Sequence, residues 1–158
     1  MSEFIIFLAT KLYVFVVVGA LLTFLYVSLQ QKRELIKVSI ITLPLAFVLS
    51  RVVKIFIQSP RPFVDGHMVN LIPHIPDNGF PSDHALLVFT VAAIVYTQHK
   101  KIGILLFALG IFVGAGRVFA GVHHTLDIVG SFVIAVAATC IAVWMLGRFA
   151  VSFPYRRR

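Results

Sequence analysis

The chain alternates between long apolar runs and short polar links. Five runs stand out, and they extend over Leu12 to Leu29, Val38 to Ile57, Ala85 to Thr97, Ile102 to Gly116 and Leu126 to Gly147. A helix of about 20 residues is ~30 Å long, which matches the hydrocarbon core of a bilayer. The third and fourth runs need a few flanking residues to reach that length. The pattern therefore predicts an all-helical, polytopic transmembrane bundle of about five spans.

Composition excludes a water-soluble protein. Hydrophobic residues make up 59% of the chain and charged residues 13%, whereas a soluble domain carries about 25% charged residues. The 158 residues are expected to form a single integral-membrane domain, residues 1–158. The start of the chain lacks the basic region of a secretory signal, so we expect the first run to be a retained helix. Cys140 lies inside an apolar run, and its side chain is expected to have a packing role.

The positive charge has a topological explanation. Lys and Arg number 14 against six Asp and Glu, a net charge of +8, which in a soluble protein would suggest a nucleic-acid partner. Here the cations cluster in two links and the tail, at Lys32, Arg33, Lys37, Lys100, Lys101, Arg148, Arg156, Arg157 and Arg158. Because cytoplasmic links hold an excess of cations, we place the other connections outside the cytoplasm and expect no nucleic-acid partner. The outer connections are the Gln58 to Pro81 loop and the Arg117 to Thr125 link.

The first polar group precedes and enters the long outer loop. Lys54 and Arg61 are seven residues apart, so both project from one face if the helix continues that far. Pro60 and Pro62 are expected to end the helix, and Arg51 extends the same face by one turn. Each cation alone could be an anchor that reaches the membrane surface. Together they are typical of a phosphate clamp.

The second group is the segment of residues 79–84, directly before the third apolar run. Ser82 or Asp83 can cap the helix, and the free N–H groups of its first turn favour an anion. His84 would lie beside that anion. The alternative for this segment alone is an ordinary helix cap and an interfacial histidine.

The third group lies in the second outer connection. His123 and Asp127 are four residues apart, a spacing that places a carboxylate beside an imidazole on one helix face. The carboxylate would hold the imidazole's tautomer and make the other ring nitrogen a better nucleophile or base. Arg117 adds a planar cation suited to phosphate oxygens. One such histidine is more often structural, but the three groups on one membrane face indicate a catalytic site.

These residues resemble the type 2 phosphatidic-acid phosphatase superfamily. Its motifs are Lys-x6-Arg-Pro, Pro-Ser-Gly-His and Ser-Arg-x5-His-x3-Asp. The first is complete at Lys54, Arg61 and Pro62. The second is present with Asp83 in place of the glycine, and the third with Gly116 in place of the serine. The Pro-Ser-Asp-His variant in a short membrane protein looks like the bacterial undecaprenyl-diphosphatase group.

The resemblance implies a metal-independent phosphatase that forms a phosphohistidine and needs no cofactor. By analogy, His123 attacks phosphorus, Asp127 orients it and His84 protonates the leaving oxygen. The residues assigned to phosphate binding are Lys54, Arg61, Ser82, Asp83 and Arg117. Asp83 brings a negative charge to this site, and Arg51 or Lys54 is expected to offset it.

The expected partners are a lipid phosphate substrate and membrane lipids, in a bacterial plasma membrane with the site facing outwards. The favoured substrate is undecaprenyl diphosphate, which would yield undecaprenyl phosphate. Two alternatives remain: a phosphatidylglycerophosphate or phosphatidate phosphatase, and a small anion transporter. His67 and His74 match no motif and are expected to be solvated loop residues. Phe153, Tyr155 and the final arginines are expected to anchor the tail at the interface.

Overall fold

The computed structural model describes residues 1–64, 66 and 68–152, with side chains up to residue 147. Six helices follow in order: α1 (Ser2–Thr10), α2 (Leu12–Tyr26), α3 (Leu29–Phe56), α4 (Asp83–Gln98), α5 (Lys100–Phe119) and α6 (Thr125–Ser152). The only β pairing in this part of the chain is an isolated bridge between Pro60 and Asn78. The predicted all-helical fold is confirmed. His67 and the proposed tail anchor lie outside the described residues.

Two helix boundaries differ from the prediction. The single helix predicted from Leu12 to Leu29 ends at Tyr26, and α1 precedes it, bent from α2 by 42°. Helix α3 begins at Leu29 rather than Val38. The reason is a capping box, in which Ser28 and the side chain of Gln31 satisfy each other's backbone N–H groups. The helix therefore starts in the basic link, ahead of the apolar run.

Within the described part of the chain, three helices are long and apolar enough to cross a membrane: α3, α5 and α6 up to Gly147. The bent pair α1–α2 would make a fourth span. Helix α4 has 16 residues and is shorter than the others, but it is the most buried of the six, with Ala85, Val88 and Ala92 fully covered. The predicted number of five spans is thus approximate. Helix α4 is shorter than the spanning helices and is covered by protein on most sides.

Helices α1 and α5 approach each other closely at Gly116. A Cβ atom at Gly116 would lie 2.7 Å from the backbone nitrogen of Ala9 and 2.7 Å from Cβ of Leu8. The serine of the resembled motif would not fit here without moving α1. The glycine is therefore explained by helix packing beside Arg117.

Replacing Gly116 by serine is expected to lower the melting temperature in detergent, because overpacking a tight helix contact costs about 1–3 kcal/mol. The matched control is Gly147→Ala, where a Cβ atom meets nothing within 4 Å and the higher helix propensity of alanine favours α6. The control should melt at or above the wild-type temperature. A wild-type melting temperature for Gly116→Ser would show that α1 does not require this close approach.

Candidate active site

The outer loop, residues 57–82, is held against the end of α3 by Asn78. Its Nδ2 donates to the carbonyl oxygens of Lys54 (3.2 Å) and Ile57 (2.8 Å), and its Oδ1 accepts from the backbone N–H groups of Ser59 and Phe80 (both 3.0 Å). The side chain thus satisfies carbonyls that the end of a helix leaves unpaired. Helix α3 stops at Phe56, so the condition under which Lys54 and Arg61 would share a helix face is not met.

Arg61 nevertheless reaches the centre of the site from the loop. It is buried, its Nε donates to Oδ1 of Asp77 (2.7 Å) and its Nη1 donates to the carbonyl oxygen of Val122 (2.7 Å). Asp77 also lies 3.8 Å from Nζ of Lys54. Burial raises the pKa of Asp77, but the hydrogen bond from Arg61 and the charges of Arg61 and Lys54 outweigh it and hold that pKa below its usual value. This carboxylate orients both cations of the first motif.

The imidazole of His123 is held by Asp127, which is fully buried. Oδ2 of Asp127 lies 3.3 Å from Nδ1 of His123 and accepts from the backbone N–H of His124 (2.9 Å), while Oδ1 accepts from the hydroxyl of Ser59 (2.8 Å). A carboxylate can only accept, so this network assigns the proton of His123 to Nδ1 and leaves Nε2 unprotonated. His123 precedes α6, whereas Asp127 lies in its first turn, so the two meet across the helix start rather than on one helix face.

Two guanidinium groups face the unprotonated ring nitrogen of His123. Nε2 of His123 lies 3.3 Å from Nη1 of Arg61 and 3.5 Å from Nη2 of Arg117. Burial, together with the charges of Arg117 and Arg61, lowers the pKa of His123 in spite of its bond to Asp127. The lowered pKa favours the neutral imidazole. A neutral nitrogen between two cations is suited to attack an anionic phosphorus centre.

A glycine turn delivers His123 to this position. Gly121 has φ +74°, and a Cβ atom there would lie 2.7 Å from the carbonyl oxygen of Val69. Both the left-handed conformation and the contact with the outer loop require glycine. The turn carries the chain from the end of α5 to His123 and directs the carbonyl of Val122 towards Arg61.

Two buried donors beside these groups lack a partner within the described residues. They are the hydroxyl of Ser82 and Nε of Arg117. Ser82 is the N-cap residue of α4, but its hydroxyl makes no capping hydrogen bond. Its backbone N–H donates to the carbonyl oxygen of Asp127 (3.4 Å), which places the α4 start against α6. Leaving buried donors unpaired is costly, and phosphoryl oxygens are acceptors of the kind that would pair them.

His84 lies in the first turn of α4, two residues after Ser82. Its ring is partly exposed, and Tyr13 of α2 packs edge-on against it with ring centroids 5.0 Å apart. The positive charge of Arg117 acts on its ring. His84 is thus a second imidazole on the same side of the bundle as the His123 ring.

Asp83 forms its ion pair with Arg51 and not with Arg61 or Arg117. Its Oδ1 forms an ion pair with Nη2 of Arg51 (2.7 Å), and the two side chains are 62% and 43% exposed. Of the two cations expected to offset it, Arg51 is the partner. The position of Asp83 in the family motif predicted a role in phosphate binding. Its carboxylate instead pairs with Arg51 on an exposed face of α3 and α4.

His74 was expected to be a solvated loop residue, and it is only partly exposed. Its ring lies edge-on to the ring of His123, with centroids 6.2 Å apart, and its Nδ1 is buried. Sequence reasoning also missed Ser59, Asp77 and Asn78. The available signal was the loop itself, because a connection of that length without regular structure is uncommon unless it has a function. Among the described side chains, no group of three or more His, Cys, Asp or Glu could hold a metal ion.

The architecture and the three motifs can be compared with known proteins. A profile of the PAP2 superfamily matches residues 36–150. The chain belongs to this superfamily. Membership confirms the predicted family and the predicted enzyme class, since the superfamily is one of phosphatases. Helices α1 and α2, which supply Tyr13 and the contact with Gly116, lie outside the matched residues.

Individual relatives carry two kinds of name. The bacitracin transport permease protein BcrC of Bacillus licheniformis is 29% identical over 91% of this chain and 71% of its own length. The undecaprenyl-diphosphatase BcrC of Bacillus subtilis is 32% identical over 67% of this chain and 55% of its own length. The chain thus spans little more than half of the second relative. The solved structure of Aquifex aeolicus LpxE shares the fold, with a TM-score of 0.65, 24% identity, and coverage of 90% of this chain and 93% of that one.

Proposed function

We propose that this PAP2 protein hydrolyses a lipid diphosphate or monophosphate through a covalent phosphohistidine on His123. The observation that carries the proposal is the placement of Nε2 of His123 between the guanidinium groups of Arg61 and Arg117, with Nδ1 held by Asp127. A nucleophile, a group that orients it and cations for the developing charge are the parts that phosphoryl transfer requires.

In the first step, Nε2 of His123 forms a bond to the terminal phosphorus as the bond from phosphorus to the leaving oxygen breaks. Arg61, Arg117 and the hydroxyl of Ser82 stabilise the equatorial oxygens. His84 gives its proton to the leaving oxygen of the lipid. The ring of His123 becomes positively charged, and Asp127 stabilises that charge through Nδ1.

In the second step, water attacks phosphorus and the bond to Nε2 breaks. His84, left neutral by the first step, accepts a proton from the water. Inorganic phosphate leaves, and both histidines return to their starting states. Lys54, 3.8 Å from Asp77, acts at longer range and adds positive charge to the entrance of the site.

The lipid tail has a candidate groove between α4, α5 and α6. It is lined mainly by apolar side chains, among them Phe89, Phe107, Ile111, Phe119 and Phe132. The groove includes Val118 and Phe119, the two residues that follow Arg117, so it lies beside the cationic site. We favour undecaprenyl diphosphate as the substrate, because a relative is named for that activity. Phosphatidylglycerophosphate and phosphatidate fit the same chemistry.

A transport function is the second candidate, because one relative is named a transport permease. The two candidates differ in a direct way. A hydrolase releases phosphate in detergent solution, where no membrane gradient exists, whereas a transporter changes nothing there.

The test is a phosphate-release panel with the purified protein in detergent, comparing a prenyl diphosphate, a prenyl monophosphate, phosphatidylglycerophosphate and phosphatidate. We expect release from at least the prenyl diphosphate, and expect EDTA to leave the rate unchanged. Absence of release from all four lipids would contradict the hydrolase. Loss of activity in EDTA, restored by a divalent ion, would contradict the metal-independent mechanism.

The site is proposed to face away from the cytoplasm. The basic starts of α3 and α5 lie at one end of the bundle, and the end of α3, the start of α4 and the turn at Gly121 lie at the other. With Cys140→Ala as background, a cysteine at Val69, which is 82% exposed, should react with an impermeant thiol reagent on intact cells. A cysteine at Lys101 is the matched control and should react only after lysis. The reverse result would place the site in the cytoplasm.

A further inference from the structure

His74 lies beside His123 and takes no part in the proposed mechanism. Its neighbour Ile75 is 66% exposed, yet Nδ1 of His74 is buried and has no hydrogen-bond partner among the described residues. Its ring meets the ring of the nucleophile at 81°. A buried polar atom without a partner is costly in a folded protein, and this one lies beside the ring that is proposed to receive the phosphoryl group.

The surroundings of His74 favour an anionic ligand. Burial and the charges of Arg61 and Arg117 lower its pKa and outweigh the opposing charge of Asp77. The same two arginines face Nε2 of His123. The unpaired Nδ1 therefore shares its cationic surroundings with the point where phosphorus is attacked.

We propose that His74 is a phosphate-binding residue, which donates a hydrogen bond from Nδ1 to an oxygen of the phosphoryl group held against His123. A bound dianion favours the protonated form of a neighbouring imidazole, so Nδ1 can donate whichever ring nitrogen carries the proton before phosphate binds. This role rests on the proposed phosphatase function and adds to it a residue outside the three motifs, supplied by the outer loop.

The proposal is tested by phosphate binding, with inorganic phosphate as the probe and the full chain in detergent. Binding is measured as the rise in melting temperature with phosphate concentration, which requires no turnover. We expect His74→Ala to weaken phosphate binding about tenfold, the effect of losing one hydrogen bond to a charged group. His74→Asn carries an amide N–H close to the position of Nδ1 and should stay within about threefold of wild type. His99→Asn, at the opposite end of α4, is the matched control and should bind as wild type.

Phosphate binding by His74→Ala at the wild-type affinity would overturn the role of His74. If His74→Ala folds poorly, His74→Asn and His74→Gln decide the question, because glutamine places its amide at the position of Nε2. Equal phosphate affinities for these two variants would likewise overturn the proposal, and a clear advantage of asparagine would support it.

The phosphate-release panel separates this outcome from failure of the proposed function. A wild-type protein that hydrolyses lipid phosphates, with a His74→Ala variant of unchanged phosphate affinity, would contradict the inference alone. A wild-type protein that releases no phosphate but loses phosphate binding on His74→Ala would contradict the hydrolase and support the binding residue.

Discussion

Replacing His123 by alanine is expected to lower kcat for lipid phosphate hydrolysis by roughly 10⁴-fold or more, because the covalent route is lost with the nucleophile. Nε2 of His123 lies between Arg61 and Arg117, and in the proposed mechanism it is the atom that attacks phosphorus. The measurement is phosphate release from a prenyl diphosphate by equal amounts of purified wild type and variant in detergent.

The matched control for this prediction is His99→Asn, which changes a histidine in the link between α4 and α5, away from the site. It should retain the wild-type rate. Melting temperatures of both variants report whether the fold is intact. Turnover by a folded His123→Ala variant above about one per cent of wild type would mean that another group attacks phosphorus.

Replacing Asp127 by asparagine is expected to lower kcat by about 10³ to 10⁴-fold, as in other hydrolases where an amide replaces the carboxylate behind a catalytic histidine. The amide can donate to Nδ1 of His123, and the ring then carries its proton on Nε2, the atom that must attack. KM should change much less, since Asp127 does not contact the substrate in the proposed mechanism. Steady-state kinetics with a prenyl diphosphate separate the two parameters.

Asp127 also accepts from Ser59 and from the backbone N–H of His124, so the variant is expected to be somewhat less stable. Ser59→Ala provides the comparison, because it removes one partner of the carboxylate and leaves the tautomer of His123 unchanged. It should lose stability but keep most of kcat. Equal losses of kcat in Asp127→Asn and Ser59→Ala would indicate that Asp127 serves packing rather than the tautomer.

The helical architecture could be read from the sequence because apolar runs of this length have few other stable states in a membrane. The boundaries were less predictable. The start of α3 depends on the capping interaction of Ser28 with Gln31, and the separate helix α1 depends on its packing against α5 at Gly116. Both are contacts between particular side chains or elements rather than properties of a hydrophobic pattern.

The site was predictable to the extent that its residues lie in motifs with fixed spacing. Arg61, Arg117, His123 and Asp127 were all named from the sequence, and the structure brings them together. Asp77 and His74 were not assigned to the site, because they converge on it only through the fold of the outer loop. Asp83 shows the opposite case, since its place in a motif suggested phosphate binding but its carboxylate pairs with Arg51 on an exposed face.

The central claim is the covalent phosphohistidine, and the His84→Ala variant tests it most directly. A lipid phosphate is a better leaving group than an alkoxide, so the first step with a prenyl diphosphate should tolerate loss of the general acid, whereas attack of water should be slowed by about 10²–10⁴-fold. We expect acid-sensitive, base-stable phosphate to accumulate on this variant after rapid quenching, and expect peptide mass spectrometry to locate it on His123. Slow turnover by His84→Ala with no phosphoryl group on His123, or with the group on another residue, would contradict the account.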